Sequence, residues 1–141
     1  MSERVTFHFD VDGDDFTSAG QASVIMKKNL RQLGISPDTI RRVSIAMYEG
    51  EINMVIHADG GTADVSIGLD KIDIVLADKG PGIPDVEKAM QKGWSTASEK
   101  VRSAGFGAGM GLPNMKKNTD EMEIETEVGV GTTIHMKVYV A

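Results

Sequence analysis

Three residues in the stretch IRRVSIAMYEGEINMVIHA, residues 40–58, combine chemistry with spacing: Glu49, Asn53 and His57 stand at i, i+4 and i+8. If the stretch is one helix, turning about 100° per residue, the three share one line along its surface. Arg41, Ser44, Tyr48 and Glu51 gather in another sector, read as the wet face. Ile45, Ile52 and Ile56 form an apolar band on one side of the Glu49 line, and Val43, Met47 and Met54 form another on the other side. The line therefore points into protein, where a carboxylate, an amide and an imidazole need partners or a cavity. A satisfied buried polar triad is the plain alternative. The chemical reading is that a carboxylate in a dry site has its pKa raised towards a useful value for a general base. An amide oxygen one turn on suits a hard, oxygen-seeking cation. For His57, a hydrogen-bonded histidine at the helix end is explanation enough.

Further along, a nearly continuous apolar strand runs into Asp78-Lys79-Gly80-Pro81-Gly82-Ile83. A carboxylate at a strand end is placed to accept a hydrogen bond from an exocyclic amine, and the two glycines let a flat ring approach the backbone. A Gly-Pro turn with a solvated aspartate is the alternative. Gly105-Phe106-Gly107-Ala108-Gly109-Met110-Gly111 then places glycine at every second position before a helix. Such a loop can turn successive N–H groups towards an anion, although a flexible hinge has the same composition. It is not a Walker loop, since no Gly-Lys-Ser/Thr follows. It is not a dinucleotide fingerprint, because Met110 or Leu112 stands where the last glycine belongs. Gly129-Val130-Gly131-Thr132 needs no more than a hairpin turn.

The elements that must position these residues follow from periodicity. Residues 4–10 alternate as a half-buried strand with His8 on its outer face. The run DVDGDD after it begins like a calcium loop but carries Asp15 where glycine is needed and Gln21 where a bidentate glutamate is needed. A helix over about residues 17–33 presents Ala19, Ala22, Met26, Leu30 and Leu33 to the core and stops at Gly34. Ser36 caps the next helix, with Pro37 in its first position. Gly60-Gly61 turns the chain into two strands, 63–69 and 71–77, joined tightly as an antiparallel hairpin. Residues 85–91 read as a short helix, 92–108 as a long loop, 109–118 as a helix, and 121–127 and 132–140 as strands. The order β-α-α-β-β-α-α-β-β is expected to give an α/β two-layer sandwich, a mixed sheet with helices on one face.

With 141 residues, 40% apolar and 26% charged, the chain is expected to be one soluble domain, 1–141. It carries no cysteine, no secretory leader and no long apolar run, so a cytoplasmic location is expected. A net charge of −6 argues against a general nucleic-acid or anionic-membrane surface.

Taken in order, Glu49-x-x-x-Asn53, Asp78-x-Gly80-x-Gly82, Gly105-x-Gly107-x-Gly109-x-Gly111 and Gly129-x-Gly131-Thr132 resemble the N, G1, G2 and G3 boxes of the GHKL ATPases. Within that superfamily the chain is most similar to the anti-sigma-factor serine kinases and stressosome switch kinases. The resemblance implies a Bergerat fold with a mostly antiparallel sheet, and ATP and Mg²⁺ as cofactors. It implies Glu49 as general base, Asn53 as Mg²⁺ ligand and Asp78 on the adenine amine, with Gly80, Gly82 and Ile83 lining the base pocket and Thr132 supporting Asp78. Residues 92–108 would be a lid. Gly105, Phe106, Gly107, Ala108, Gly109, Met110, Gly111 and Leu112 would close on the phosphates, with Lys100 and Arg102 supplying positive charge from the lid. Gly50, unusual inside a helix, implies close packing by a strand or ligand there, and Ser95, Thr96, Ser98 and Ser103 in the lid are candidate phosphate acceptors.

The activity implied is that of a protein serine/threonine kinase acting on a STAS-domain regulator. The alternative is an ATP-binding anti-sigma factor that sequesters a sigma factor with little or no kinase activity. A detached histidine-kinase domain is disfavoured because no phosphoacceptor hairpin is evident, and topoisomerase or chaperone activity by length. Expected partners are a STAS regulator, a sigma factor or both, with neither nucleic acid nor membrane, and a homodimer as an open possibility.

Overall fold

A computed structural model describes residues 4–12, 20–57, 60–80, 82–83, 90 and 111–140. In chain order its elements are β1 (Val5–Asp12), α1 (Gln21–Gln32), α2 (Pro37–His57), β2 (Gly60–Ile67), β3 (Lys71–Asp78), α3 (Gly111–Lys117), β4 (Glu121–Glu127) and β5 (Gly131–Tyr139). The strands form one sheet in the order β1-β2-β3-β5-β4. All four ladders are antiparallel, so among the described residues the sheet has no parallel pairing.

Period-2 alternation decides what each face of the sheet meets. Val65, Ile74 and Met136 lie across adjacent strands in one row, and Ala63, Leu76 and Ile134 in the next; all are buried against the helices. The opposite face is polar. There His8 Nδ1 lies 2.6 Å from Asp64, and Asp73 joins Arg4 at 2.5 Å and His135 at 3.1 Å.

Helix α1 buries Ala22, Ser23, Met26 and Leu30. Leu33, expected in the same stripe, is 47% exposed. The reason is local: Gly34 takes a positive φ of 78° and the Ile35 N–H bonds back to the Leu30 carbonyl, so the chain turns away before Leu33 can pack.

Helix α2 starts as its sequence dictates. Ser36 Oγ donates to Thr39 Oγ1 at 2.9 Å and accepts the Thr39 N–H at 3.4 Å, with Pro37 in the first turn. It lies between α1 and α3 and along the sheet. Gly50 explains how closely: a Cβ there would overlap Leu76 Cδ1 on β3, so the glycine lets helix and strand touch. Near its N-terminal end Arg42 donates to the Asn118 carbonyl at 3.1 Å and pairs with Asp120 at 3.1 Å, tying α2 to the turn between α3 and β4. Among the described residues no helix is long and apolar enough to cross a membrane.

Candidate functional site

Glu49 projects from the middle of α2 on the side of α3. It is half-buried, and burial raises its carboxyl above the ordinary value of 4.5. Among the described residues its carboxylate has one hydrogen bond, a long one of 3.4 Å from Asn114 Nδ2, which pulls the pKa weakly the other way. An ionised carboxylate offers about four acceptor positions, so most of this one is unspent. Asn53, one turn on, is half-buried with Nδ2 4.0 Å from Met115 Sδ. Its amide lies against the first residue of α3, where a Cβ on Gly111 would come within 2.9 Å of Asn53 Nδ2. Glu49 and Asn53 therefore both face α3, through Asn114 and Gly111.

The third group sits at the end of β3, two residues beyond the Leu76 that packs on Gly50. Asp78 Oδ1 accepts the Gly80 N–H at 2.9 Å and the Thr132 N–H at 3.2 Å from its register partner on β5. Its Oδ2 is not engaged among the described residues. Thr132 is buried, with Oγ1 2.8 Å from Thr126 Oγ1. Thr126 in turn accepts the Ile83 N–H at 2.8 Å. Gly82, at φ 80°, lies where a Cβ would stand 2.6 Å from the Glu127 carbonyl. Gly80, Gly82 and Ile83 are thus held against the β4–β5 end of the sheet by one chain of hydrogen bonds, a preorganised turn rather than a solvated one.

Of the other residues singled out from sequence, Gly111 opens α3, and Leu112 is 7% exposed within the apolar core. Lys100, Arg102, Gly105, Phe106, Gly107, Ala108, Gly109 and Met110, with the lid's Ser95, Thr96, Ser98 and Ser103, lie outside the described residues. So do most of the short helix at 85–91 and the residues of the failed calcium loop from 13 to 19. His57 ends α2, and its side chain is likewise outside the description.

Glu51 corrects the helical wheel. Assigned to the wet face, it is 2% exposed. Its Oε2 accepts the N–H groups of Gly20 (2.9 Å) and Ala22 (3.2 Å), and Oε1 accepts that of Ser23 (2.7 Å). These are the unpaired donors at the start of α1, which has no side-chain cap of its own. Burial still pushes the Glu51 carboxyl up, against the pull of the three N–H groups. A wheel knows only its own axis; that a neighbouring helix would end on this sector was invisible to it. Asn114 was also missed, because a lone amide in GLPNMKK carries no periodic signal.

The chain also resembles known proteins in sequence. Residues 14–138 match the histidine kinase-like ATPase domain. The chain is 30% identical over 126 residues to an anti-sigma F factor of Geobacillus kaustophilus (strain HTA426), covering 85% of this chain and 83% of that one. It is 37% identical over 114 residues to an anti-sigma F factor of Caldanaerobacter subterraneus subsp. tengcongensis, covering 77% and 76%. It is 32% identical over 108 residues to the serine/threonine-protein kinase RsbT of Bacillus subtilis (strain 168), covering 74% and 75%. In solved structures the fold is shared with part of a chain comprising the RsbU and RsbW domains of Rv1364c from Mycobacterium tuberculosis, at TM-score 0.64 and 15% identity over 95% of this chain and 32% of that one. It is also shared with the mycobacterial sensor histidine kinase MprB, at TM-score 0.55 and 18% identity over 96% and 97%.

Proposed function

The chain belongs to the histidine kinase-like ATPase domain family, a membership that implies ATP binding, and we propose that it is a protein serine/threonine kinase regulating a STAS-domain partner. The observation that carries the reading is the under-satisfied, pKa-raised Glu49 beside Asn53, both facing the start of the helix that follows the glycine-rich loop. ATP with Mg²⁺, when bound, supplies the phosphoryl group and neutralises charge as it transfers. Asp78 Oδ2 would accept a hydrogen bond from the adenine amine, its orientation fixed by the Gly80 and Thr132 N–H groups on Oδ1. Gly80, Gly82 and Ile83 would line the base.

Asn53 fits a magnesium site of modest protein contribution. Its amide oxygen is a neutral hard ligand, and among the described residues no group of three or more His, Asp or Glu could hold a metal. A cation here would take most of its ligands from phosphate and water, as Mg²⁺ commonly does. Glu49 would take up the proton released as a serine or threonine hydroxyl of the partner accepts the phosphoryl group. Lys100, Arg102 and the glycines of 105–111 are proposed to contact the phosphates.

The names of the relatives keep a second reading open: an ATP-binding anti-sigma factor that holds a sigma factor and transfers phosphate little or not at all. Incubation with γ-labelled ATP, Mg²⁺ and purified STAS-domain proteins separates the two. The kinase reading expects label on a serine or threonine of one of them. Nucleotide-dependent capture of a sigma factor with no labelled protein would favour sequestration. Either activity would belong in the cytoplasm.

A further inference from the structure

A groove of about 350 Å³ opens between α1 and the first half of α2, which contributes Ile40, Arg41, Ser44 and Ile45. Its floor is apolar: Ile40 is 6% exposed, and Ile35 and Ile45 are half-buried beside Pro37. Its rim is cationic. Lys27 and Arg31 lie one turn apart on α1 and have no ion-pair partner among the described residues; Arg41 on α2 shares only Asp38, at 3.1 Å. This clustering occurs in a chain whose net charge is −6. Ser44 also lines the groove, and its Oγ is buried with no hydrogen-bond partner among the described residues, an uncommon state for a buried hydroxyl. The same strip continues towards the start of α1, where Val24 is 67% and Tyr48 43% exposed.

We propose that this groove is a docking surface for an acidic segment of a partner protein, which inserts one apolar side chain against Ile40 and Ile45 while its carboxylates meet Lys27, Arg31 and Arg41. The volume suits one or two side chains, at the small end of ligand pockets. The unpaired cations favour an anionic rim on the partner over a neutral one. Ser44 Oγ gains an acceptor that the described residues do not give it. The groove lies on the α1 side of α2 and Glu49 on the α3 side, so the assignment stands whether or not the chain is a kinase.

The test is a ¹⁵N-resolved titration of the full chain with a fluorescein-labelled peptide of alternating glutamate and alanine carrying one central leucine. Two control peptides replace the leucine by serine, or every glutamate by lysine. The proposal expects shifts concentrated in residues 27–45 with the first peptide alone, and anisotropy affinity weakened at least about tenfold in the double variant Lys27→Glu/Arg31→Glu, with ATP affinity unchanged. It is overturned if the lysine peptide binds equally well, if the acidic leucine peptide leaves 27–45 unshifted, or if the double variant binds as tightly as wild type. It is overturned as well if the shifts appear on concentrating the chain alone, which assigns the groove to a second copy. Loss of binding to phosphatidylglycerol vesicles in the double variant, with no peptide binding in wild type, would assign the groove to lipid instead.

Discussion

Glu49 and Glu51 stand two residues apart on α2, and the structure gives them opposite surroundings. Glu51 is the deeper of the two, and three short N–H bonds from the start of α1 occupy its carboxylate. Glu49 is more accessible, yet among the described residues its carboxylate has a single hydrogen bond, at 3.4 Å. Depth alone therefore does not mark the carboxylate proposed to act as base. A buried charge whose acceptor positions are filled is a structural device, whereas a half-buried one with acceptor positions to spare is free to meet a ligand or proton. The same division separates the two flanks of the second half of α2: on the α1 side Glu51 is occupied by the start of that helix, and on the α3 side Asn53 and Asn114 stand near Glu49.

Ranked by expected effect, several substitutions break or sharpen that contrast. Glu49→Gln should lower phosphoryl transfer to the partner by about 10²–10⁴-fold, the usual contribution of a general base, with melting temperature nearly unchanged; a gel-based transfer assay reads the first and thermal denaturation the second. Glu51→Ala should cost about 3 kcal/mol of folding stability, because it leaves buried N–H groups without acceptors, and a denaturant titration measures it. Asp78→Asn, which replaces an acceptor by an amide that can also donate, should weaken ATP binding by about tenfold in calorimetry, the worth of one charge-assisted hydrogen bond. Gly50→Ala should destabilise by about 1 kcal/mol, the overlap with Leu76 outweighing the gain in helix propensity. The smallest expected effect is that of Asp120→Asn, which removes a partly exposed pair to Arg42 and should cost about 0.5 kcal/mol, shrinking further in salt.

The raised pKa of Glu49 adds a pH signature. A carboxyl with a folded-state pKa above its unfolded value binds its proton more tightly when folded. The stability it contributes is present below the ordinary 4.5 and is lost as pH rises through the raised value. Glu49→Gln should flatten the stability profile in that window.

Much of the fold was legible because the core is written in simple periods. Strand β1 follows a run of alternation, β3 a nearly continuous apolar run, and the start of α2 follows Ser36-Pro37. The exceptions have local causes. Leu33 reads as one more stripe residue, but Gly34 and the Ile35 N–H turn the chain before it can pack. Glu51 reads as solvated because a wheel contains no neighbours, and only the arrival of α1's uncapped N-terminus buries it. At the proposed site, Glu49, Asn53 and Asp78 stood out in the sequence by residue type and spacing. Asn114 and Thr126 did not, since their significance lies in contacts across 65 residues for the one and across a β-ladder for the other.

The most direct test of the division along α2 measures single-turnover phosphoryl transfer at saturating ATP and unfolding free energy on wild type, Glu49→Gln and Glu51→Gln in parallel. The account predicts that Glu49→Gln loses transfer by about 10²-fold or more and keeps its stability, while Glu51→Gln loses about 1–3 kcal/mol of stability and, where folded, transfers within a few-fold of wild type. Wild-type transfer by Glu49→Gln, or loss of transfer by a fully folded Glu51→Gln alone, would contradict it.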